Sequence, residues 1–299
     1  MNIKLISGVV IAGLAASYAG GKIYMTDKVA TQLDAKIIEM QPMVNVKYGD
    51  LSVEPITQKI QLHDVVLSPT DGRAKPITIN EITVNDFDSE SEFPAVLDLA
   101  LNGISISIDD IEPETAAQLK VLGYTDDMLI SLATKYTYVD NVMDWQFNLS
   151  AQDMGKMAYS LNIANFEFDP KQPVSLLFAY PNFQLNAAEF TYTDESFVER
   201  LFKQEAQSSD MTVEELKQDM SDKISALLAA DIENKNNELS DEQIKVASGA
   251  TEAFIKFIND PQSLTISVNP EKAITLGEIT QTQNDPAKLI ALLNMTFKA

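Results

Sequence analysis

The chain has 299 residues and no cysteine. That excludes a disulfide framework, a thiolate metal site and a cysteine nucleophile. It has a single histidine, His63, which removes most metal and acid–base constellations as well. Cationic residues are scarce: 22 Lys and Arg stand against 44 Asp and Glu, for a formal net charge of −22, and only Arg73 and Arg200 are arginine. Such a surface repels phosphate backbones, so nucleic acid is not an expected partner, and solubility alone accounts for the acidity. There is no Gly-rich phosphate loop, nucleophile elbow or zinc motif. No cofactor is therefore expected. What remains is 45% hydrophobic residues, enough for one large or two ordinary cores, with no Pro/Gly/Ser linker to divide the chain.

The amino terminus carries the clearest targeting signal. Leu5 to Gly21 is a run of 17 residues without charge, flanked by Lys4 and Lys22. Extended to Met25 it reaches about 30 Å as a helix, enough for one bilayer crossing. Ser17 and Ala19 also fit cleavage by a signal peptidase before Gly20, which would leave a secreted or periplasmic chain. An uncleaved anchor over residues 1–25 is favoured, because Ile23, Val29, Leu33, Ile37 and Met40 continue an apolar helical stripe into an amphipathic stem over 26–43.

Five times the next part of the chain alternates two large apolar residues, steps over two, and resumes on the opposite parity. The copies are Val46-x-Tyr48-GD-Leu51-x-Val53, Ile60-x-Leu62-HD-Val65-x-Leu67, Ile77-x-Ile79-NE-Ile82-x-Val84, Leu99-x-Leu101-NG-Ile104-x-Ile106 and Leu161-x-Ile163-AN-Phe166-x-Phe168. Strand side chains alternate faces, so one apolar face survives such a step only through a bulge or tight bend. Phe183-x-Leu185-NA-Ala188-x-Phe190 is a weaker sixth copy and Ile274-x-Leu276-GE-Ile279 half of a seventh. The device predicts a curved antiparallel sheet with a continuous apolar face.

The expected class is α+β. An antiparallel β domain spans 44–193, interrupted by short helices over 113–134, the second of them Asp126–Thr134. Further strands are expected at Tyr136–Val139, Trp145–Leu149, Met157–Phe168, Ser175–Tyr180 and Phe183–Tyr192. Residues 194–259 read as three amphipathic helices, two of them opened by the capping boxes Thr212-x-x-Glu215 and Ser240-x-x-Gln243. They are expected to bury against each other and the sheet. Over 260–299 strands return, with a short helix KLIALL after Asp285-Pro286, and rejoin the sheet.

Candidates for chemistry are few. His63 adjoins Asp64, but neighbours on a strand face opposite sides and cannot form a dyad without the bend. Asp86-x-Asp88-x-Glu90-x-Glu92 lacks the glycine and closing residue of a calcium loop and reads as a solvated linker. No catalytic or metal residue is assigned, and the chain is not expected to be an enzyme. Val46, Tyr48, Ile60, Leu62, Ile77, Ile79, Leu99, Leu101, Trp145, Phe147, Phe166 and Phe168 are the candidate lining of an apolar groove, or equally a core.

The short anchor ending GGKIYMTDK, the stem with Leu33, the strand after Tyr48 and the ending NDPAKLIALLNMTFKA resemble bacterial envelope proteins of the YdgA-like family. The chain is more distantly similar to AsmA-like and bridge-type proteins, in which an inner-membrane helix carries a curved β groove into the periplasm. The resemblance implies a single-pass inner-membrane protein with its bulk in the periplasm. It also implies lipid binding in envelope maintenance; the alternative is a scaffold that holds an envelope protein through its helices. Membrane, lipid and a protein partner are thus the expected contacts.

Overall fold

A computed structural model describes residues 26–299 except 43, 55, 58, 71–74, 89–93, 168–170, 173, 235–239 and 283–285. The expected anchor over 1–25 lies outside the described residues. No described helix is long and apolar enough to cross a membrane. The chain is α+β with antiparallel sheet, in two compact units. The first unit takes residues up to Lys120 together with Thr125–Val139 and Phe147–Ala151; the second takes the remainder.

In the first unit, helix α1 (Thr26–Met40) precedes strands β1 (Val44–Lys47), β2 (Asp50–Val53), β3 (Ile60–Pro69), β4 (Ile77–Phe87) and β5 (Val96–Ile106). Helix α2 (Pro113–Val121) and strand β6 (Met128–Val139) follow. Strands β1 and β2 both pair with β3, and the ladder continues β3-β4-β5-β6, antiparallel throughout. The stem stripe does not run free. Val29, Leu33 and Ile37 recur every fourth residue, so they share one helix face, and that face is buried in the core with Val44, Leu62, Val65, Ile82 and Leu99. The Tyr48 hydroxyl donates to Asp34 Oδ1 at 2.8 Å and fastens the helix to the β1–β2 step. Burial, reinforced by that carboxylate, pushes the Tyr48 phenol up to about 12.

The first four parity steps lie side by side. The partners Asp50–His63, His63–Glu81 and Glu81–Asn102 form one cross-strand row. Beside it the unbroken register sets Gly49 against Asp64, Asp64 against Asn80, and Asn80 against Gly103. The spacers GD, HD, NE and NG thus stack into a single crease. Asp64 (φ 51°) and Gly103 (φ 65°) take left-handed backbone to turn the strand over. At β5 the step ends in a bulge: Leu101 faces Leu132 and Ile104 faces Ile130, so Asn102 and Gly103 together oppose Ser131. The Gly103 N–H donates to Ser131 Oγ at 3.3 Å.

That bulge lets β6 alternate without a step, and it corrects an expectation. Asp126–Thr134, predicted to be a helix, contributes Met128–Thr134 to strand β6. Apart from exposed Leu129, its side chains are half-buried on both faces, which erases the period-two signal.

In the second unit, β7 (Val142–Ala151, divided between the units) leads to β8 (Gly155–Ala164), β9 (Gln184–Asp194), β10 (Ser263–Val268), β11 (Ile274–Thr275) and β12 (Met295–Lys298). The pairs β8–β9, β9–β10, β9–β11 and β10–β12 are antiparallel, so the carboxyl-terminal strands do rejoin the sheet. The weak sixth step is real: the β8–β9 register shifts between Asn162 and Ile163, leaving Asn186 as the extra residue on β9. The fifth is not a step. Strand β8 ends at Ala164, Asn165 turns the chain at φ 54°, and Phe168 lies outside the described residues. The half-copy at Ile274 is strand β11 running into helix α7 (Leu276–Thr282), its GE spacer forming the first helical turn. Thr275 and Glu278 cap that turn reciprocally, the Thr275 N–H donating to Glu278 and the Glu278 N–H to Thr275 Oγ1.

Ser175–Tyr180, predicted to be a strand, instead forms helix α3 (Ser175–Ala179) and a 3-10 turn over Tyr180–Asn182. The helical section divides as expected into α4 (Phe197–Ser208), α5 (Val213–Asn234) and α6 (Asp241–Asn259), and both capping boxes form. Phe202, Ala206, Leu216 and Ile258 bury the three helices against one another, while α6 also packs on β10 and β12. Helix α8 (Pro286–Leu292) contributes Leu289 and Leu292 to a further core around Leu185, Ile274 and Leu293.

Two substitutions measure the first unit. Leu33, 2% exposed, should cost about 2–5 kcal/mol as alanine in chemical denaturation if α1 belongs to the core. Gly103→Ala combines a positive φ with a Cβ that would lie 2.7 Å from Asn80 Cγ. It should cost roughly 1–3 kcal/mol, whereas Gly249→Ala, on a helix with open space around it, should be neutral or stabilising.

Candidate functional site

Of the twelve candidate lining residues, eight converge on the core of the first unit. Val46, Ile60, Leu62, Ile79, Leu99 and Leu101 are buried there, with Tyr48 and Ile77 packed against them. The face they share is occupied by protein: α1 supplies Val29, Leu33 and Ile37, and Ile82 at its centre is fully buried. Trp145 and Phe147 lie half-buried on β7, and Phe166 stacks on Phe183 with ring centroids 5.0 Å apart in the second unit. Phe168 lies outside the described residues.

The opposite face of the first sheet carries a polar crease that side-chain typing alone did not bring together. Glu81 is its hub. It accepts from Thr83 Oγ1 at 2.9 Å, Gln61 Nε2 at 3.1 Å and Asn102 Nδ2 at 3.2 Å. His63 Nδ1 lies 3.8 Å from its carboxylate, an ion-pair distance once the imidazole is protonated. The Thr83 hydrogen bond, then that from Asn102, holds the Glu81 carboxyl below its ordinary 4.5 against the opposing effect of burial. The histidine thus finds its carboxylate across the ladder, in Glu81, rather than in the neighbouring Asp64. Aligning the two-residue spacers of the parity steps would have predicted this row from sequence. With its lone pairs engaged by three neutral donors, the Glu81 carboxylate is suited to holding the crease rather than to abstracting a proton.

The second unit has its own polar fastening. The Arg200 guanidinium stacks 4.3 Å from the Tyr124 ring and donates to Ser196 Oγ at 3.1 Å and to the Leu122 carbonyl at 3.2 Å. Asp194 accepts from the Tyr192 hydroxyl at 2.6 Å and from the Val198 N–H at 3.0 Å, tying β9 to the start of α4. Burial and that carboxylate push the Tyr192 phenol well above its usual range. Among the described residues no three His, Asp or Glu side chains come together as a metal site. Asp88 accepts from the Ala95 N–H at 3.0 Å, while Glu90 and Glu92 lie outside the described residues.

Each unit is compact, antiparallel in its strands and held by its own polar cluster, which makes this an α+β protein. A family model described as "Uncharacterized protein" matches residues 148–299, slightly more than half the chain, and takes in β8 to β12 and α3 to α8. The chain belongs to that family. No curated protein matches it.

The hub gives a pH prediction. A carboxyl whose folded pKa is depressed contributes stability above its unfolded value, lost as pH falls through the folded one. Glu81→Gln should therefore be less stable than wild type at pH 7, and the gap should narrow as pH falls below 4.5. Urea midpoints measured at pH 7, 4.5 and 3 check this; a gap that widens on acidification contradicts it.

Proposed function

We propose that the chain is a membrane-anchored, non-catalytic protein of the bacterial cell envelope, its bulk in the periplasm, that works by holding a protein partner. The anchor rests on the uncharged run Leu5–Gly21, and the envelope setting on the resemblance of the two chain ends. The observation that weighs most between the readings is the filled apolar face of the first unit. A lipid bound there would have to displace α1 and its Val29, Leu33 and Ile37, at about 1.5–3 kcal/mol for each side chain exposed. The scaffold reading has no such cost. Helices α4, α5 and α6 also keep Leu201, Leu227 and Phe254 exposed.

Because the chain has no cysteine, single substitutions Leu201→Cys, Leu227→Cys and Phe254→Cys give unique crosslinking sites in intact membranes. The same protein partner is expected from all three, and none from Ile38→Cys, an exposed position on α1. Purified protein carrying one lipid per chain, with no shared crosslinked partner, would reverse the choice in favour of the lipid reading.

A further inference from the structure

Helix α3 is built the wrong way round for a soluble surface. Val174, Leu177 and Phe178 recur at i, i+3 and i+4, so they share one side, and they are 62%, 74% and 78% exposed. None of the residues of α3 is buried. The display is held from below. Phe183, 4% exposed, packs on Phe166; the Tyr180 and Thr280 hydroxyls are 3.2 Å apart; and the Phe183 carbonyl accepts from the Leu276 N–H at 2.8 Å. Pro181 rests so closely on α7 that a Cβ at Gly277 would lie 3.0 Å from its carbonyl oxygen. These contacts fix the base and leave the apolar side outermost.

We propose that Val174, Leu177 and Phe178 form a knob that inserts into the interfacial layer of a lipid bilayer. Charge distribution selects lipid over protein as the occupant. Residues 170–188 form the longest stretch without Asp or Glu after Asp27, 19 residues in a chain that averages one acid in every seven. A protein partner accommodates carboxylates at the rim of its contact by pairing them, whereas a bilayer interface desolvates them and its anionic headgroups repel them. The high exposure of all three side chains points the same way, since a fluid interface accepts an apolar tip without a matching pocket. Tyr180, 45% exposed at the foot of the knob, is a residue type that favours headgroup depth. The inference rests on the anchored reading only for the nearness of a membrane.

The full chain, with an NBD fluorophore on Val174→Cys, Leu227→Cys or Gly13→Cys, is bound to phosphatidylcholine vesicles with and without brominated acyl chains. The Val174 probe should shift to the blue and be quenched by the brominated lipid, while the Leu227 probe reports water. Leu177→Glu with Phe178→Ser, both at exposed positions, should lower the Val174 quenching on the order of tenfold. A Val174 probe in water beside a quenched Gly13 probe overturns the knob and keeps the anchor. The reverse keeps the knob and overturns the anchor, and both probes in water overturn both. A Val174 thiol that crosslinks to one protein in native membranes, and stays in water on vesicles, assigns the surface to a protein and also overturns the proposal.

Discussion

Cross-strand partners must lie on the same face of a sheet, and the first unit is organised around that constraint. A strand that switches parity forces its neighbour to switch at the same line, or an apolar residue would be thrown into water opposite a buried one. The spacers at Gly49-Asp50, His63-Asp64, Asn80-Glu81 and Asn102-Gly103 answer one another in this way. One crease runs across the ladder until the β5 bulge at Ser131 absorbs it. On one side of the crease the apolar residues merge into the core that α1 closes; on the other the polar spacers meet at Glu81.

The features connect to function through what they fill. A curved apolar face can be a container or a core, and here Val29, Leu33, Ile37 and Ile82 occupy it. The amphipathic stripe beyond Met25 serves this packing, and Tyr48 secures it by reaching Asp34. With that face spent on stability, the exposed apolar residues of α3 to α6 are among the surfaces that stay open for binding. The two proposals divide them: a partner protein on the longer helices, a bilayer under Val174, Leu177 and Phe178.

Much of this was legible in the sequence where a local signal had one physical meaning. Thr212-x-x-Glu215 and Ser240-x-x-Gln243 opened helices because the hydroxyl and the later side chain satisfy backbone N–H groups with no other partner. Four parity steps marked β structure because nothing but a strand rewards period two. The misreadings fall where tertiary context decides. Met128–Thr134 is apolar on both faces and looked helical. Ser175–Ala179 has strand-like composition but is a surface helix. Ile274-x-Leu276-GE-Ile279 copies the step, yet Thr275 and Glu278 form a helix cap there. The polar site was missed because His63 and Glu81 are 18 residues apart and meet only through register.

The crease can be tested by thiol reactivity in this cysteine-free chain. Single cysteines placed in turn at positions 62 to 65 and 79 to 82 are treated with a maleimide on the folded protein. The structure predicts protected, open, open, protected in both series, since Leu62, Val65, Ile79 and Ile82 are buried and the spacers between them are accessible. Strict alternation, with 62 and 64 protected and 63 and 65 open, would describe an uninterrupted strand and contradict the account.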